Sequence, residues 1–286
     1  MTIGINGSAG QLGRAVLTEI LKRRPQQKLV AISRTPAGLG QEVEGRLGDY
    51  DQPETLVSAY AGLDRLFLIP SPDLRPGILG TQLVAAVQAA VKAGVEHIVL
   101  LSSAGARSKG KSEGGPEWGR VEQELIRTAQ EWTILRMNYF TETFAQEVKM
   151  SLDHGRLVGL GENRVGFVSR DDVAAAAAGV LVGEGHGGAT YNLTGPDRVS
   201  GAQRAEGAAK VVGRPLQFAV LSEEQLRAGL NSAGLPAFLV DAVVSMQQRF
   251  VSGHYDLATG DVEILSGKSP DGFEDVLRRA LNGQGA

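Results

Sequence analysis

Short apolar runs alternate with helical patterns over the first half of the chain, the rhythm of parallel strands joined by helical crossovers. The runs that predict strands are Thr2–Asn6, Leu29–Ser33, Arg65–Ile69, His97–Ser102 and Thr133–Arg136, with a weaker one near Glu44–Leu47. Between the first two, Leu12, Val16 and Ile20 recur at helical spacing, with Leu17 and Leu21 beside them, and give one apolar stripe. Asp51 followed by Glu54 has the spacing of a helix-capping box, and the helix Ile78–Ala93 is expected to stop at Gly94. This pattern predicts an α/β fold with a Rossmann-like doubly wound parallel sheet over residues 1–150. Residues 151–286 read as a smaller, mostly helical C-terminal lobe that covers one end of the sheet, with some segments returning to it. Ser169-Arg170-Asp171-Asp172 and Ser222-Glu223-Glu224-Gln225 have the capping spacing that opens helices there.

Between Gly105 and Gly119 the rhythm breaks into a Gly-, Ser- and Lys-rich stretch. It follows the end of a strand, so it reads either as a flap over a ligand or as a solvated loop. The basic run inside it, Arg107-Ser108-Lys109-Gly110-Lys111, favours the solvated loop over a polyanion site.

Gly7-Ser8-Ala9-Gly10-Gln11-Leu12-Gly13 stands directly after an apolar strand and opens a helix. Gly7 allows the tight turn, Gly10 the close approach of a pyrophosphate, and Gly13 the packing of helix on strand. The helix N-terminus then turns free N–H groups toward phosphate. Arg34 follows the second strand, about twenty residues on, where an NAD site carries Asp or Glu. A guanidinium pairs with a 2′-phosphate that a carboxylate would repel, so the cofactor expected is NADP(H).

The glycine spacing is G-x-x-G-x-x-G. With Gly48-Asp49-Tyr50-Asp51, Ala93-Gly94-Val95-Glu96-His97, Leu135-Arg136-Met137-Asn138-Tyr139-Phe140, Asp171-Asp172-Val173-Ala174 and Tyr191-Asn192-Leu193-Thr194-Gly195-Pro196, it resembles the NmrA-like group of atypical short-chain dehydrogenase/reductases. Within that group the chain is similar to the triphenylmethane reductases and type 2 NAD(P)H:quinone oxidoreductases. The resemblance implies that Asp49 lies by the adenine and Ile69-Pro70-Ser71 along the ribose and phosphates. It implies Ser102 and Ser103 near the nicotinamide ribose, with Asn138 and Tyr139 bordering nicotinamide and substrate. Read as residues alone, Asp49 equally suits turn capping, Ser102 and Ser103 strand-end hydrogen bonding, and Asn138 a structural turn.

Most carbonyl reductases of this superfamily use a Tyr-x-x-x-Lys pair, in which tyrosine protonates the developing alkoxide. By alignment that spacing falls on Trp118 and Glu122, so the relay is absent and no catalytic residue is assigned. Hydride transfer to an acceptor that needs no immediate protonation fits: a quinone, or the cationic carbon of a dye. Trp118, Tyr139 and Phe140 would give such a small aromatic or quinone-like acceptor a flat wall, or else they pack in the core. The alternative is a noncatalytic NADP(H)-binding redox sensor.

Composition narrows the field further. Lys+Arg 29 against Asp+Glu 32 leaves −3, which argues against nucleic acid as the main partner. Cysteine is absent, which removes disulfides, thiolate nucleophiles and zinc–cysteine sites. The four histidines are far apart, so no metal is expected, and Gly-x-Ser-x-Gly does not occur. The longest apolar run, Val173 to Val182, is too short for a bilayer, and Met1-Thr2-Ile3-Gly4-Ile5 lacks the basic start of a secretion signal. The expectation is a cytoplasmic monomer or homodimer away from membranes.

Overall fold

The computed structural model describes residues 1–36, 43–106 and 117–283. Its strands are β1 (Thr2–Asn6), β2 (Lys28–Ser33), β3 (Val43–Leu47), β4 (Arg65–Leu68), β5 (His97–Ser103), β6 (Glu131–Met137), β7 (Arg156–Gly159), β8 (Ala189–Leu193) and β9 (Gln217–Val220). The helices are α1 (Gln11–Arg23), α2 (Glu54–Tyr60), α3 (Ile78–Lys92), α4 (Trp118–Thr128), α5 (Thr141–Ser151), α6 (Arg170–Val182), α7 (Gly201–Val212), α8 (Glu223–Ser232), α9 (Ala237–Val251), α10 (Asp261–Ser266) and α11 (Phe273–Leu281).

Seven strands pair in parallel in the order β3-β2-β1-β4-β5-β6-β8. The order reverses between β1 and β4, and the crevice outside the carboxyl ends of those strands is where such sheets bind ligands. Both faces of the sheet are covered, which is why its strands read as unbroken apolar runs rather than alternating ones. On one face the α1 stripe (Leu12, Val16, Leu17 and Ile20) packs with the alanines of α6 and with Val262 and Leu265 of α10. On the other, α2, α3 and α4 bury Leu56, Tyr60, Leu83, Val87, Val121 and Leu125 against the sheet.

The second half contributes to both parts of the molecule. β8 extends the sheet beside β6, while β7 and β9 form a separate two-stranded ribbon among α5, α7 and α9. A further core there centres on Phe144, Phe167, Phe250, Tyr255 and Phe273, with ring centroids 4.7–5.6 Å apart for the Phe144–Phe167–Phe273 trio and 5.2 Å for Phe250–Tyr255. Among the described residues no helix is long and apolar enough to cross a membrane.

The helix starts follow their caps unevenly. Ser222 and Gln225 form a reciprocal capping box, and Ser169 accepts from the Asp172 backbone as N-cap of α6. The expected box at Asp51 and Glu54 does not form. α2 begins at Glu54 after Pro53, whose ring fixes the helical φ and takes the N-cap position without a side-chain cap. Asp51 instead accepts from Gln82 at 2.8 Å.

Candidate active site

At the carboxyl end of β1, Gly7 turns with φ +86°, a conformation that side chains with a Cβ rarely adopt. The Gly7 and Ser8 backbone N–H groups donate to the Ile32 carbonyl at 3.0 and 3.2 Å, and the Ser8 hydroxyl does so at 3.0 Å, which pins the loop to β2. A Cβ on Gly13 would fall on the Gly7 carbonyl oxygen and 2.6 Å from Ser8 Cα, so only glycine lets α1 start this close. Gly10 differs, because a Cβ there would come no nearer than 3.4 Å to the Gly7 carbonyl. It is the exposed N-cap of α1, and no side chain caps the first turn, so the N–H groups there have no side-chain partner. Gln11 is exposed beside it, Ala9 half-buried, and Leu12 belongs to the core.

At the end of β2, the Ser33 hydroxyl is buried and has no hydrogen-bond partner among the described residues, while Arg34 next to it is exposed. An unpaired buried hydroxyl costs free energy. A phosphate group beside it would satisfy it and place an anion at the guanidinium. These two residues, with the uncapped turn of α1, fit NADP(H) at its two phosphate positions.

Asp49 follows β3. Its Oδ1 accepts from the Asp51 backbone at 3.0 Å and its own N–H donates to Thr55 Oγ1 at 3.0 Å, so it caps a turn and remains half-buried. The Tyr50 hydroxyl donates to the Ile69 carbonyl at 2.8 Å and ties this turn to the loop after β4. Burial pushes that hydroxyl well above the usual tyrosine range. Ile69 lies against the glycine loop, 3.1 Å from where a Cβ on Gly7 would stand. Pro70 and Ser71 are half-buried, and the Ser71 hydroxyl donates to Gln82.

Ser102 and Ser103 end β5, and because successive strand residues face opposite ways they do different things. Ser102 faces α4, where its hydroxyl donates to Glu122 at 2.6 Å. The same carboxylate takes Arg136 Nε at 2.9 Å and a second guanidinium nitrogen at 2.6 Å. That pairing raises the Arg136 pKa above its ordinary value. Ser103 faces the other way and meets the Tyr255 hydroxyl at 2.7 Å. Asn138 is buried: its amide donates to the Tyr255 carbonyl at 3.2 Å and its Oδ1 accepts from Tyr139 N at 2.8 Å. The side chains of Ser102 and Asn138 thus hydrogen-bond within the protein, alongside the cofactor roles that resemblance implies for them.

The three aromatic residues do not share one wall. Trp118 is 6% exposed and packs in the core with α3, the packing role that its aromatic character equally allowed. Phe140 packs toward α1 and α6, whereas Tyr139 turns into the lobe with its ring edge-on to Phe250 at 5.1 Å and its hydroxyl donating to Glu147. Burial and the neighbouring Glu147 carboxylate push the Tyr139 hydroxyl well above the usual range. Most of the 105–119 segment, including the basic run Arg107-Ser108-Lys109-Gly110-Lys111, lies outside the described residues.

Sequence reasoning did not single out Tyr255 or Glu147, the partners of Ser103 and Tyr139, and neither sits in a motif.

The NAD(P)H-binding family matches residues 7–183 of the chain, from the glycine loop through α6. Quinone oxidoreductase 2 of Escherichia coli strain K12 is 32% identical over 84% of this chain and 84% of its own. The crystal structure of an NADPH-dependent quinone oxidoreductase of Escherichia coli complexed with NADPH has a TM-score of 0.88 at 29% identity, covering 96% of this chain and 98% of that one. Triphenylmethane reductase of Citrobacter sp., complexed with NADP(H), has a TM-score of 0.87 at 28% identity over 98% of this chain and all of that one (100%). On the extent of these matches, the chain belongs to the NAD(P)H-binding family, among the NmrA-like atypical short-chain dehydrogenase/reductases.

Proposed function

We propose that the protein is an NADPH-dependent reductase that passes hydride to a quinone-like or other conjugated aromatic acceptor. The observation that carries the choice of cofactor is the orphaned Ser33 hydroxyl beside the exposed Arg34, a donor pair suited to a 2′-phosphate. The relatives' names, a quinone oxidoreductase and a triphenylmethane reductase, support the choice of acceptor. NADPH, when bound, supplies the hydride. The chain supplies position: the uncapped first turn of α1 and Gly10 for the pyrophosphate, Asp49 and Ile69-Pro70-Ser71 for the adenosine side, and Ser103 at the nicotinamide end. Tyr139 and the lobe around it would border the acceptor.

The absence of the usual Tyr-x-x-x-Lys pair supports the same reading. Where the usual acid would stand, Trp118 is core packing, and Glu122 is a carboxylate already bound to Arg136. A simple ketone, whose alkoxide is far more basic than the delocalised anion of a reduced quinone, is therefore the poorer substrate. We place the protein in the cytoplasm as a monomer or homodimer, and its near-balanced charge supports a small-molecule partner over a polyanion.

The test follows NADPH absorbance with a benzoquinone, a naphthoquinone, a cationic triphenylmethane dye and a simple ketone. Saturable oxidation with quinone or dye and none with ketone is expected. Silence across the panel, with NADPH binding verified by titration, would replace the reductase with a redox sensor.

A further inference from the structure

A quinone that has taken hydride carries negative charge on oxygen, and a proton delivered within the site would complete the reduction. Two tyrosines of the described residues stand where the carboxyl ends of β5 and β6 meet the lobe, on either side of Phe250: Tyr139 at 5.1 Å and Tyr255 at 5.2 Å between ring centroids. Their surroundings decide which can give up a proton. Tyr139 donates to the Glu147 carboxylate, so ionising it would set two negative charges side by side. Tyr255 meets Ser103 Oγ at 2.7 Å, and the Arg249 side chain of α9 reaches the same spot beside Gly105, where its positive charge favours the tyrosinate left after donation.

We propose that Ser103 and Tyr255 form a proton relay to the reduced oxygen of the acceptor, with Arg249 as its positioning residue. The relay is built from the lobe rather than from α4. It rests on the reductase reading above.

The balance is simple. Hydride reduces the quinone to its hydroquinone monoanion while NADPH is oxidised to NADP⁺. The Ser103 O–H breaks toward that oxygen as the Tyr255 proton replaces it, and water reprotonates Tyr255.

Several features of the structure serve such a relay. Ser103 is the last residue of β5, at the sheet edge where ligands bind, and its Oγ also accepts from Gly105 N at 3.3 Å. A Cβ on Gly105 would stand 3.2 Å from the Tyr255 hydroxyl and 3.4 Å from Arg249 Cδ, so glycine there keeps the approach open. Burial pushes the Tyr255 hydroxyl up, and Ser103, Arg249 and the Gly105 backbone pull it back; among the described residues its charge also acts on Tyr139.

The acceptors separate the proton from the hydride. Hydride makes a triphenylmethane carbocation neutral with no proton to take up, whereas it leaves a quinone as a delocalised anion that the relay protonates before release. Tyr255→Phe and Ser103→Ala should each lower the ratio of quinone to dye turnover by about 10²- to 10⁴-fold, the range of a lost general acid. A ratio equal to that of the wild type, in enzyme that still reduces both acceptors, overturns the relay. In the cofactor-free protein, ¹³C NMR of ζ-labelled tyrosine follows ionisation directly, with Tyr255→Phe assigning the signal. Arg249→Met should raise the Tyr255 midpoint by about one pH unit and Arg249→Lys should restore it; a midpoint indifferent to both removes Arg249 from the proposal. A wild type that oxidises NADPH with neither acceptor overturns the reductase reading, and the relay with it.

Discussion

Replacing Arg34 with alanine tests cofactor choice at the point where the structure is most specific. A guanidinium–phosphate hydrogen bond contributes about 1.5–3 kcal/mol. Arg34 is exposed, so solvent and salt weaken its bond and the lower part of that range applies. A loss of about 1.5–2.5 kcal/mol corresponds to a rise in the NADPH Kd of about 10- to 60-fold. NADH, which lacks the 2′-phosphate, should change by less than about 3-fold on the same physical grounds. Ser33→Ala adds an internal check. Its hydroxyl has no partner among the described residues, so removing it should leave the cofactor-free melting temperature unchanged or raised. The same substitution should weaken NADPH by about 0.5–1.5 kcal/mol. Fluorescence titration of both cofactors and thermal unfolding without cofactor give all the numbers. Equal losses for NADPH and NADH in Arg34→Ala, or a destabilised Ser33→Ala that binds NADPH normally, would refute the 2′-phosphate site.

The glycine loop should divide by position: Gly13→Ala meets backbone at 2.6 Å and should cost about 1–3 kcal/mol of stability, whereas Gly10→Ala, free to 3.4 Å, should fold normally and lose NADPH affinity. Thermal unfolding and cofactor titration of the pair check this. Glu122→Lys, which would rebuild half of the usual Tyr/Lys pair, sets a cation beside Arg136 and strips Ser102 of its partner. It should lower stability by about 3 kcal/mol, measured by urea unfolding, without producing ketone reduction. The His97 pKa lies below its ordinary value, through burial first, and then through Arg65 and His186 against the opposing Glu131. The folded protein therefore resists a proton that the unfolded chain accepts. The stability from neutral His97 is complete above pH 6.5 and lost as pH falls from there through the folded value. Between pH 7.5 and 5 the wild-type melting temperature should fall more steeply than that of His97→Gln, and parallel curves would remove His97 from the account.

Much of the sheet was legible because strands buried on both faces leave unbroken apolar runs between recognisable turns. All six strands expected in the first half formed, with ends displaced by a residue or two. Asp51 misled because the capping spacing is blind to Pro53, whose ring takes the cap position. Trp118 could be read two ways, because aromatic character does not say which face of a helix is buried, and here its ring joins the core between α3 and the sheet. Ser102 and Ser103 were readable in part: two consecutive strand residues cannot both face one ligand, and periodicity alone separates them. Tyr255 was not readable at all. It meets Ser103 across 152 residues of sequence, and nothing local marks such a pair.

The same region of long-range contact also engages Asn138. Tyr255 belongs to the lobe, yet its carbonyl accepts from Asn138 Nδ2 at 3.2 Å and from Gly166 N at 2.9 Å, one at the end of β6 and the other just before α6. A few residues on, Thr259 N donates to Thr194 Oγ1 at 2.9 Å and Asp261 accepts from Asn192 N at 2.6 Å, which pins the segment to β8 as well. The lobe's hydroxyl is thereby held to the sheet that holds the cofactor, and a reaction needing both in register gains from that rigidity. Asn138→Ala would free the Tyr255 carbonyl from one anchor while leaving the glycine loop untouched. If Asn138 positions the relay, the ratio of quinone to dye turnover should fall about 10-fold or more, with a smaller change in NADPH affinity. If it binds cofactor directly, NADPH affinity should fall most and the two acceptors should slow together. Steady-state kinetics with both acceptors, beside an NADPH titration, decides between them.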